Sequence, residues 1–180
     1  MKTFRYLVGA ALLALSALIL IGLSLPGEWS TKEKVTVRAP ADEVFPLIGD
    51  LRNWKSWTIW FEHDPEMKVK WHGPETGVGS GYDWSGTDAV GSGTIRVETF
   101  ETGSGIEFRL GMDGDRFIAQ GKLTVLPKSE KETEVTWKMH GELGYDPFAR
   151  FNRTMLESAV QGTLRASLDK LKTVCEQLPE

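Results

Sequence analysis

The sequence predicts an α+β fold in which an antiparallel sheet packs against one long C-terminal helix, behind an N-terminal transmembrane helix. Three observations predict it. Tyr6–Leu25 is an uncharged apolar run, alternating segments separated by glycine-rich turns follow between Met67 and Gly141, and the chain after Asp146 repeats apolar residues every three or four positions. Alternation is typical of half-buried strands, and the longer period is typical of an amphipathic helix.

The composition excludes several classes of protein. The 180 residues carry a formal net charge of -4, so no excess of basic side chains is available to neutralise phosphates, and we expect no nucleic-acid partner. Cys175 is the single cysteine, which excludes an internal disulfide and any cysteine-cluster metal site. The length that follows the apolar run is that of one ordinary domain.

The apolar run Tyr6–Leu25 has about the length needed to cross a bilayer as a helix. A cleaved signal peptide is the rival interpretation. The run is longer than a usual signal-peptide core, and the following GLSLPGEW has no small-x-small cleavage pattern. We therefore predict a retained single-pass anchor in residues 1–27 and a folded domain in residues 28–180.

The basic residues beside this run predict its orientation. Lys2 and Arg5 precede the run, which favours a cytoplasmic N-terminus and a domain on the outer side, periplasmic or extracellular. Three basic residues that follow between positions 32 and 38 weaken the asymmetry. The prediction of a membrane location depends on the apolar helix and not on the orientation of that helix in the bilayer.

The first elements of the domain follow directly. Pro26 ends the predicted membrane helix, and Trp29 is expected at the membrane interface. A strand is predicted from Thr31, where apolar and polar residues alternate. Pro40 gives a helix-start signal, and Pro46 keeps that helix short or kinked.

The middle of the chain predicts a meander of strands with one apolar face. Phe100 falls on the face opposite to its neighbours, which indicates a bulge or the end of a strand. Asp113 and Gly114 form a two-residue hairpin signal, and the charged segment Pro127–Glu132 is the predicted turn before the last strand. The inward positions are Val69, Trp71, Tyr82, Trp84, Ile95, Val97, Ile106, Phe108, Leu110, Val135, Trp137 and Met139.

The last segment predicts one long amphipathic helix. Asp146 is the expected N-cap, with Pro147 at the first helical position. The helix needs a surface to cover its apolar face, and the strands supply one. That face contains Phe148, Phe151, Met155, Val160, Leu164, Leu168, Leu171, Cys175 and Leu178.

With these elements in place, the sequence resembles the START-like superfamily that includes the polyketide cyclase/dehydrase families (SRPBCC). The resemblance runs from about Lys32 to Leu178, and the opening VTVRAPADEVFPLIGDLRNWKSWTIW is similar to the family's first strand, short helix and tryptophan turn. It implies a helix-grip fold, in which a curved antiparallel sheet wraps the C-terminal helix and leaves a cavity. The matching positions are Ala39, Pro40, Val44, Phe45, Asp50, Trp54 and Trp57.

Large rings in LRNWKSWTIWFEHD are the first candidate site. Trp54, Trp57 and Trp60 recur every third residue, and the resemblance places them where the fold closes one end of its cavity. Three interpretations stay open, namely a core plug, a cavity wall and an exposed surface for a partner or lipid. The full set of predicted ligand-binding residues is Trp54, Trp57, Trp60, Phe61, Trp84, Phe108, Trp137, Met139, Phe151 and Met155.

Signals for metal binding and catalysis are weak. His63, Asp64, His72 and His140 lack ligand spacing, so we expect no metal and no cofactor. Neither Cys175 nor any serine has a recognisable base beside it in the sequence. The charged residues that alternate on two neighbouring strands are expected to form cross-strand ion pairs on the solvent face, and they are Arg96, Glu98, Glu107 and Arg109.

The sequence thus predicts membrane-anchored binding of a hydrophobic small molecule, such as a lipid, an isoprenoid or a polyketide-like compound. Two alternatives remain. One is an enzyme of the polyketide cyclase/aromatase type, which the resemblance implies. The other is a protein-interaction or stress-response module without a ligand, whose cavity is filled by its own rings and whose protein partner the sequence does not identify.

Overall fold

The structure of the protein, a computed structural model, describes residues 2–177. The five α-helices are α1 (Lys2–Ser24), α2 (Ala41–Gly49), α3 (Trp60–His63), α4 (Pro147–Phe151) and α5 (Arg153–Glu176), and a 3₁₀-helix covers Leu51–Ser56. The seven strands are β1 (Glu28–Val37), β2 (Lys68–His72), β3 (Gly81–Ser85), β4 (Ser92–Glu101), β5 (Gly105–Met112), β6 (Phe117–Ser129) and β7 (Glu132–Glu142). Leu178, predicted to extend the helix face, lies outside the described residues.

All seven strands form one antiparallel sheet in the order β1-β7-β6-β5-β4-β3-β2. Helix α5 lies alongside β1 and covers one face of the sheet. This is the helix-grip α+β architecture that the sequence predicted, and the predicted fold class is confirmed. The buried side chains form one continuous cluster between the sheet, α5 and the short helices that follow β1.

Helix α1 is the one helix within residues 2–177 that is long and apolar enough to cross a membrane. Thr3–Ser24 has a mean hydropathy of 2.5, and 6% of its most apolar window is buried. A signal sequence passes the same test of length and composition. The helix contributes none of the buried hydrophobic side chains of the domain, so the domain core forms without it.

Strand β1 begins three residues earlier than predicted. Residues 25–27 alone separate it from α1, and Trp29 is its second residue. Trp29 is 2% exposed and faces the core, so the prediction of an interfacial position is wrong. The alternation that was recognised from Thr31 already starts at Glu28, because Trp29 and Thr31 are both buried while their neighbours are exposed.

Three local features of the described chain test the sequence predictions. The register shift between Val97 and Thr99 confirms the predicted bulge, which lets Phe100 pack against Phe45 at 5.5 Å between ring centroids. The β5–β6 connection is four residues rather than two, since Met112 pairs with Phe117. The predicted turn at 127–132 is also shorter, because β6 continues to Ser129.

The C-terminal helix is interrupted, although one helix was predicted. Asp146 is the N-cap as expected, and its Oδ1 accepts hydrogen bonds from the backbone N–H groups of Phe148 and Ala149. The first helix, α4, ends after Phe151, and Asn152 leaves the helix before α5 begins. The interruption separates the first two aromatic residues of the predicted face from the rest.

Close packing at the sheet centre depends on a glycine in β6. Gly121 lies opposite Phe108 of β5, and a methyl group at Gly121 would lie 2.1 Å from the Phe108 ring. The ring therefore occupies the space that any side chain at this position requires. Phe108 is buried against Trp54 and Trp137, so it has little freedom to move aside.

We predict that Gly121→Ala lowers the free energy of unfolding of the full-length chain by about 1–3 kcal/mol, the usual cost of overpacking. Gly162→Ala is the matched control, because Gly162 is an exposed residue of α5 with no heavy atom within 4 Å of the added carbon. There the change should add about 0.5–1 kcal/mol through helix propensity. Denaturant titration in mild detergent measures both, and equal stabilities of the two variants would contradict the packing argument.

Candidate functional site

An apolar cavity of about 280 Å³ lies between the inner face of the sheet and helix α5. Strands β3 to β7 and the tryptophan segment form one wall, and α5 forms the other. Six of the predicted ligand-binding residues line this cavity, namely Trp54, Trp60, Trp84, Phe108, Trp137 and Met139. Their role in binding a ligand stays a prediction.

The three tryptophans of the first candidate site occupy different environments. Trp54 lines the cavity and donates its indole N–H to the carbonyl of Ile48 at 2.9 Å. Trp57 is completely buried beside Trp54 and Trp137, so it belongs to the core. Trp60 is partly exposed at the cavity and contacts the Trp84 ring edge-on at 5.8 Å.

Four predicted residues lie outside the cavity. Trp57 and Phe61 are buried behind its wall, where Phe61 packs on Tyr82. Phe151 and Met155 do not point inward as predicted, since they are 44% and 67% exposed. The physical reason is that α4 packs on α1, so the Phe151 ring lies near Gly22, while Met155, which follows the helix break, faces solvent.

Sequence reasoning missed three large side chains of the cavity wall. Trp29 was excluded by the late start assigned to β1. Tyr82 was recognised as inward but not as part of the site, and Phe117 stands at the beginning of β6, where alternation is hardest to read. The Trp29 and Phe117 rings stack at 5.7 Å between centroids with an interplanar angle of 19°. The signal that could have identified Trp29 is the alternation in β1, which already begins at Glu28.

The polar groups at the cavity wall are hydroxyls and indoles. Thr58 and Thr163 donate their hydroxyls to backbone carbonyls, and the Ser167 hydroxyl accepts the backbone N–H of Ile59 at 3.2 Å. Burial raises the pKa of Tyr82 well above its ordinary value, so this phenol stays protonated. Within residues 2–177, no charged side chain and no histidine lines the cavity.

Two indole N–H groups at the cavity wall are left without a partner. The Nε1 atoms of Trp29 and Trp137 are buried and make no hydrogen bond to any described residue. A buried unpaired donor costs about 1–3 kcal/mol. The wall of this cavity is therefore stabilised by ring packing rather than by a completed polar network.

A larger groove of about 1,100 Å³ adjoins the cavity. Trp29 and Phe117 line both spaces, so the groove and the cavity meet at this stacked pair of rings. The groove opens between the start of β1 and helix α4, and it is lined by residues of both charge signs, including Glu28, Arg153 and Glu157. It contrasts with the uncharged cavity behind it.

The candidate metal-ligating residues and Cys175 lie outside the cavity. No group of three His, Cys, Asp or Glu side chains in the described chain lies close enough to hold a metal ion. His72 Nε2 lies 3.5 Å from Asp83. Burial raises the pKa of the Cys175 thiol to about 11, so it is a poor nucleophile at neutral pH.

Ion pairs on the outer sheet face differ from those predicted. Glu107 pairs with Lys122 of β6 at 2.7 Å, and this hydrogen bond lowers the pKa of Glu107. Arg109 pairs with Asp115 at 3.1 Å. Arg96 lies directly opposite Arg109, so the predicted pairing between β4 and β5 is wrong, because the register places like charges opposite each other.

The Asp64 carboxylate accepts a hydrogen bond from the loop that supports Trp84. Its Oδ2 accepts the backbone N–H of Thr87 at 2.6 Å, and its Oδ1 accepts that of Glu66 at 3.2 Å. Trp84 donates its indole N–H to the carbonyl of Val90 in the same loop. The backbone hydrogen bond from Thr87 is the main cause that lowers the pKa of Asp64.

These features define the class of fold as helix-grip, with an apolar cavity between sheet and C-terminal helix. Residues 28–176 match the model of the family described as polyketide cyclase / dehydrase and lipid transport, and the chain belongs to this family. The resemblance seen in the sequence is thereby confirmed. No curated protein gives a match.

Solved structures share this fold at low sequence identity. Norcoclaurine synthase from Thalictrum flavum, in complex with dopamine and hydroxybenzaldehyde, has a TM-score of 0.63 and 12% identity, over 89% of this chain and 94% of that one. A Nitrosospira multiformis protein has a TM-score of 0.60 and 15% identity, over 82% and 97%. The di-domain ARO/CYC BexL from the BE-7585A biosynthetic pathway has 0.61 and 21%, over 80% and 45%. These identities establish the fold alone.

We predict that Asp64→Asn destabilises the protein at neutral pH, because the carboxylate that accepts two backbone N–H groups loses its charge. A carboxylate with a lowered folded-state pKa contributes stability above its unfolded pKa, about 3.9, and loses it as the pH falls through the folded value. The difference in thermal unfolding temperature from the wild type should therefore shrink below about pH 4.

The matched control is Asp88→Asn, an exposed aspartate in the same loop. It should leave the unfolding temperature nearly unchanged at every pH. Thermal unfolding followed by circular dichroism between pH 3 and pH 8 measures all three proteins. An Asp64→Asn deficit that is constant over this range would contradict the assignment.

Proposed function

We propose that the protein is a single-pass membrane protein whose domain, residues 28–180, binds one small hydrophobic molecule between the sheet and α5. The cavity is the observation that supports this most directly. Its wall is aromatic and aliphatic, with no charged residue among those described, so an apolar molecule that enters it loses water without leaving a buried charge unpaired. The family description, which includes lipid transport, agrees with such a ligand.

The size of the cavity limits the ligand. A volume of about 280 Å³ is at the small end of ligand pockets, which hold roughly 300–1,000 Å³. We infer a compact molecule of one or two rings rather than an extended acyl or isoprenoid chain. The aromatic wall favours a flat partner, because rings pack well face to edge or in offset stacks.

The proposed anchor is α1, in residues 1–27. Its length and hydropathy support a bilayer span, and the basic residues before it support a cytoplasmic N-terminus with the domain on the outer side. Contacts of α1 with the domain support a retained helix rather than a cleaved signal, since Arg150 donates hydrogen bonds to the carbonyls of Leu23 and Leu25. The anchor keeps the cavity near the bilayer, where apolar molecules accumulate.

A cyclase or aromatase of the polyketide type is the second candidate. The family description and the likeness to BexL favour it. Such chemistry needs groups that move protons. The described cavity wall offers only hydroxyls for this purpose, and burial keeps the Tyr82 phenol protonated. Formation of a cyclised product that is lost in Tyr82→Phe would favour the enzyme.

A module without a ligand is the remaining alternative, and it predicts a cavity filled by its own rings. The open volume beside Trp54 and Trp84 argues against a module without a ligand.

We predict that the full-length chain, purified in detergent and released from the micelle in a mass spectrometer, carries one apolar compound per chain. Val160→Trp should abolish this adduct, because Val160 lines the cavity and the larger ring fills it. Ala159→Trp is the matched control, since the preceding residue of α5 is exposed and outside the cavity. It should keep the adduct.

Circular dichroism confirms that both variants fold. A wild-type chain without any adduct, or equal occupancy in the wild type and Val160→Trp, would contradict the proposal.

A further inference from the structure

Large apolar side chains stay exposed on the segment that joins the sheet to α5. Tyr145, Phe148, Phe151 and Met155 are 89%, 63%, 44% and 67% exposed, and we call these four residues the α4 patch. Phe148 and Phe151 are three residues apart on one side of α4, and Met155 follows in the first turn of α5. Apolar side chains that cluster on a surface in this way mark an interaction site.

The α4 patch lies beside the C-terminal end of α1. A methyl group at Gly22 would lie 2.6 Å from Pro147 Cβ and 2.9 Å from the Phe151 ring, so α1 and α4 are in direct contact. The proximity explains why Gly22 is the one buried residue of α1 between Thr3 and Ser24. A larger residue at this position requires the two helices to separate.

Arg150 fixes this contact. Its guanidinium donates to the carbonyls of Leu23 and Leu25 at 2.6 and 3.0 Å and to the carbonyl of Gly144 at 2.8 Å. Carbonyls at the end of a helix have no partner within the helix, so a side chain from α4 satisfies them here. The end of α1 and helix α4 are therefore joined by hydrogen bonds as well as by packing.

The contact determines the depth of α4 when α1 spans a bilayer. The 22 residues Thr3–Ser24 measure about 33 Å as a helix, close to the roughly 30 Å of the hydrocarbon core. Gly22 consequently lies near the boundary between hydrocarbon and headgroups, and α4 lies at the same level. Phenylalanine, tyrosine and methionine are suited to that boundary.

We propose that the α4 patch is a membrane-contact surface, whose side chains enter the boundary between headgroups and acyl chains. The occupant is the lipid bilayer itself. The inference rests on the proposed anchoring by α1. It also places the groove beside the membrane, because Asp146 and Ala149, which border the patch, line that groove.

The test uses the full-length chain in phosphatidylcholine and phosphatidylglycerol vesicles. Cys175→Ala removes the single native thiol, and Phe148→Cys then carries an environment-sensitive NBD label. Leu126→Cys is the matched control, since Leu126 is 52% exposed. Across the sheet, Leu126 of β6 pairs with Glu134 of β7, which in turn pairs with Thr36 of β1. Thr36 is eight residues along β1 from Glu28, so the control site is about 26 Å from the strand end that joins α1.

We expect both proteins to float with the vesicles. The label at position 148 should show blue-shifted emission and several-fold stronger quenching by spin-labelled lipids than the label at position 126.

Three results would overturn the inference. Water-like emission and equal quenching at both sites in floating protein would refute the contact surface and leave the anchor intact. Blue-shifted emission without lipid quenching would show that another protein copy covers the patch. Failure of both proteins to float would refute the anchor and the contact surface together.

Discussion

Aromatic rings that meet at steep angles determine the shape of the space between sheet and helix. Trp54 contacts Trp57, Phe108 and Trp137 with interplanar angles of 58°, 78° and 61°. The ring quadrupoles favour such steep contacts over face-to-face stacking. The contacts hold the Trp54 ring at the boundary between the packed core, where Trp57 lies, and the cavity, which Trp54 lines.

Hydrogen bonds divide the tryptophans in and behind the cavity wall into two groups. The indoles of Trp54, Trp57 and Trp84 each donate to a backbone carbonyl, which fixes their ring planes. Trp29 and Trp137 have no such partner among the described residues. Packing alone holds these two rings, so a shift of either breaks no indole hydrogen bond, whereas a shift of the other three does.

The sequence was informative where one local rule determines the outcome. Alternation predicted the meander, the departure of Phe100 predicted its bulge, and Asp146 followed by Pro147 predicted the helix start. Each of these depends on residues that are close together in the chain. The family resemblance supplied the cavity, which no local pattern predicts.

The sequence was less informative where the partner of an apolar residue had to be known. Periodicity identified Phe151 and Met155 as apolar positions of a helix, but it could not show that Phe151 lies beside α1 and that Met155 faces solvent. Likewise, a spacing of three could not separate Trp54 from Trp57, since residues three apart lie on the same side of a 3₁₀-helix. Only the tertiary contacts distinguish a cavity wall from the core behind it.

The stacked pair of Trp29 and Phe117 has a kinetic consequence. These two rings line both the groove and the cavity, and Phe117 directly follows a four-residue turn in which Asp113, Gly114 and Asp115 have positive φ angles. A molecule that moved from the groove into the cavity by this route would have to displace the two rings. The rate at which the pair opens would then set the residence time, which can be long even where the equilibrium affinity is modest.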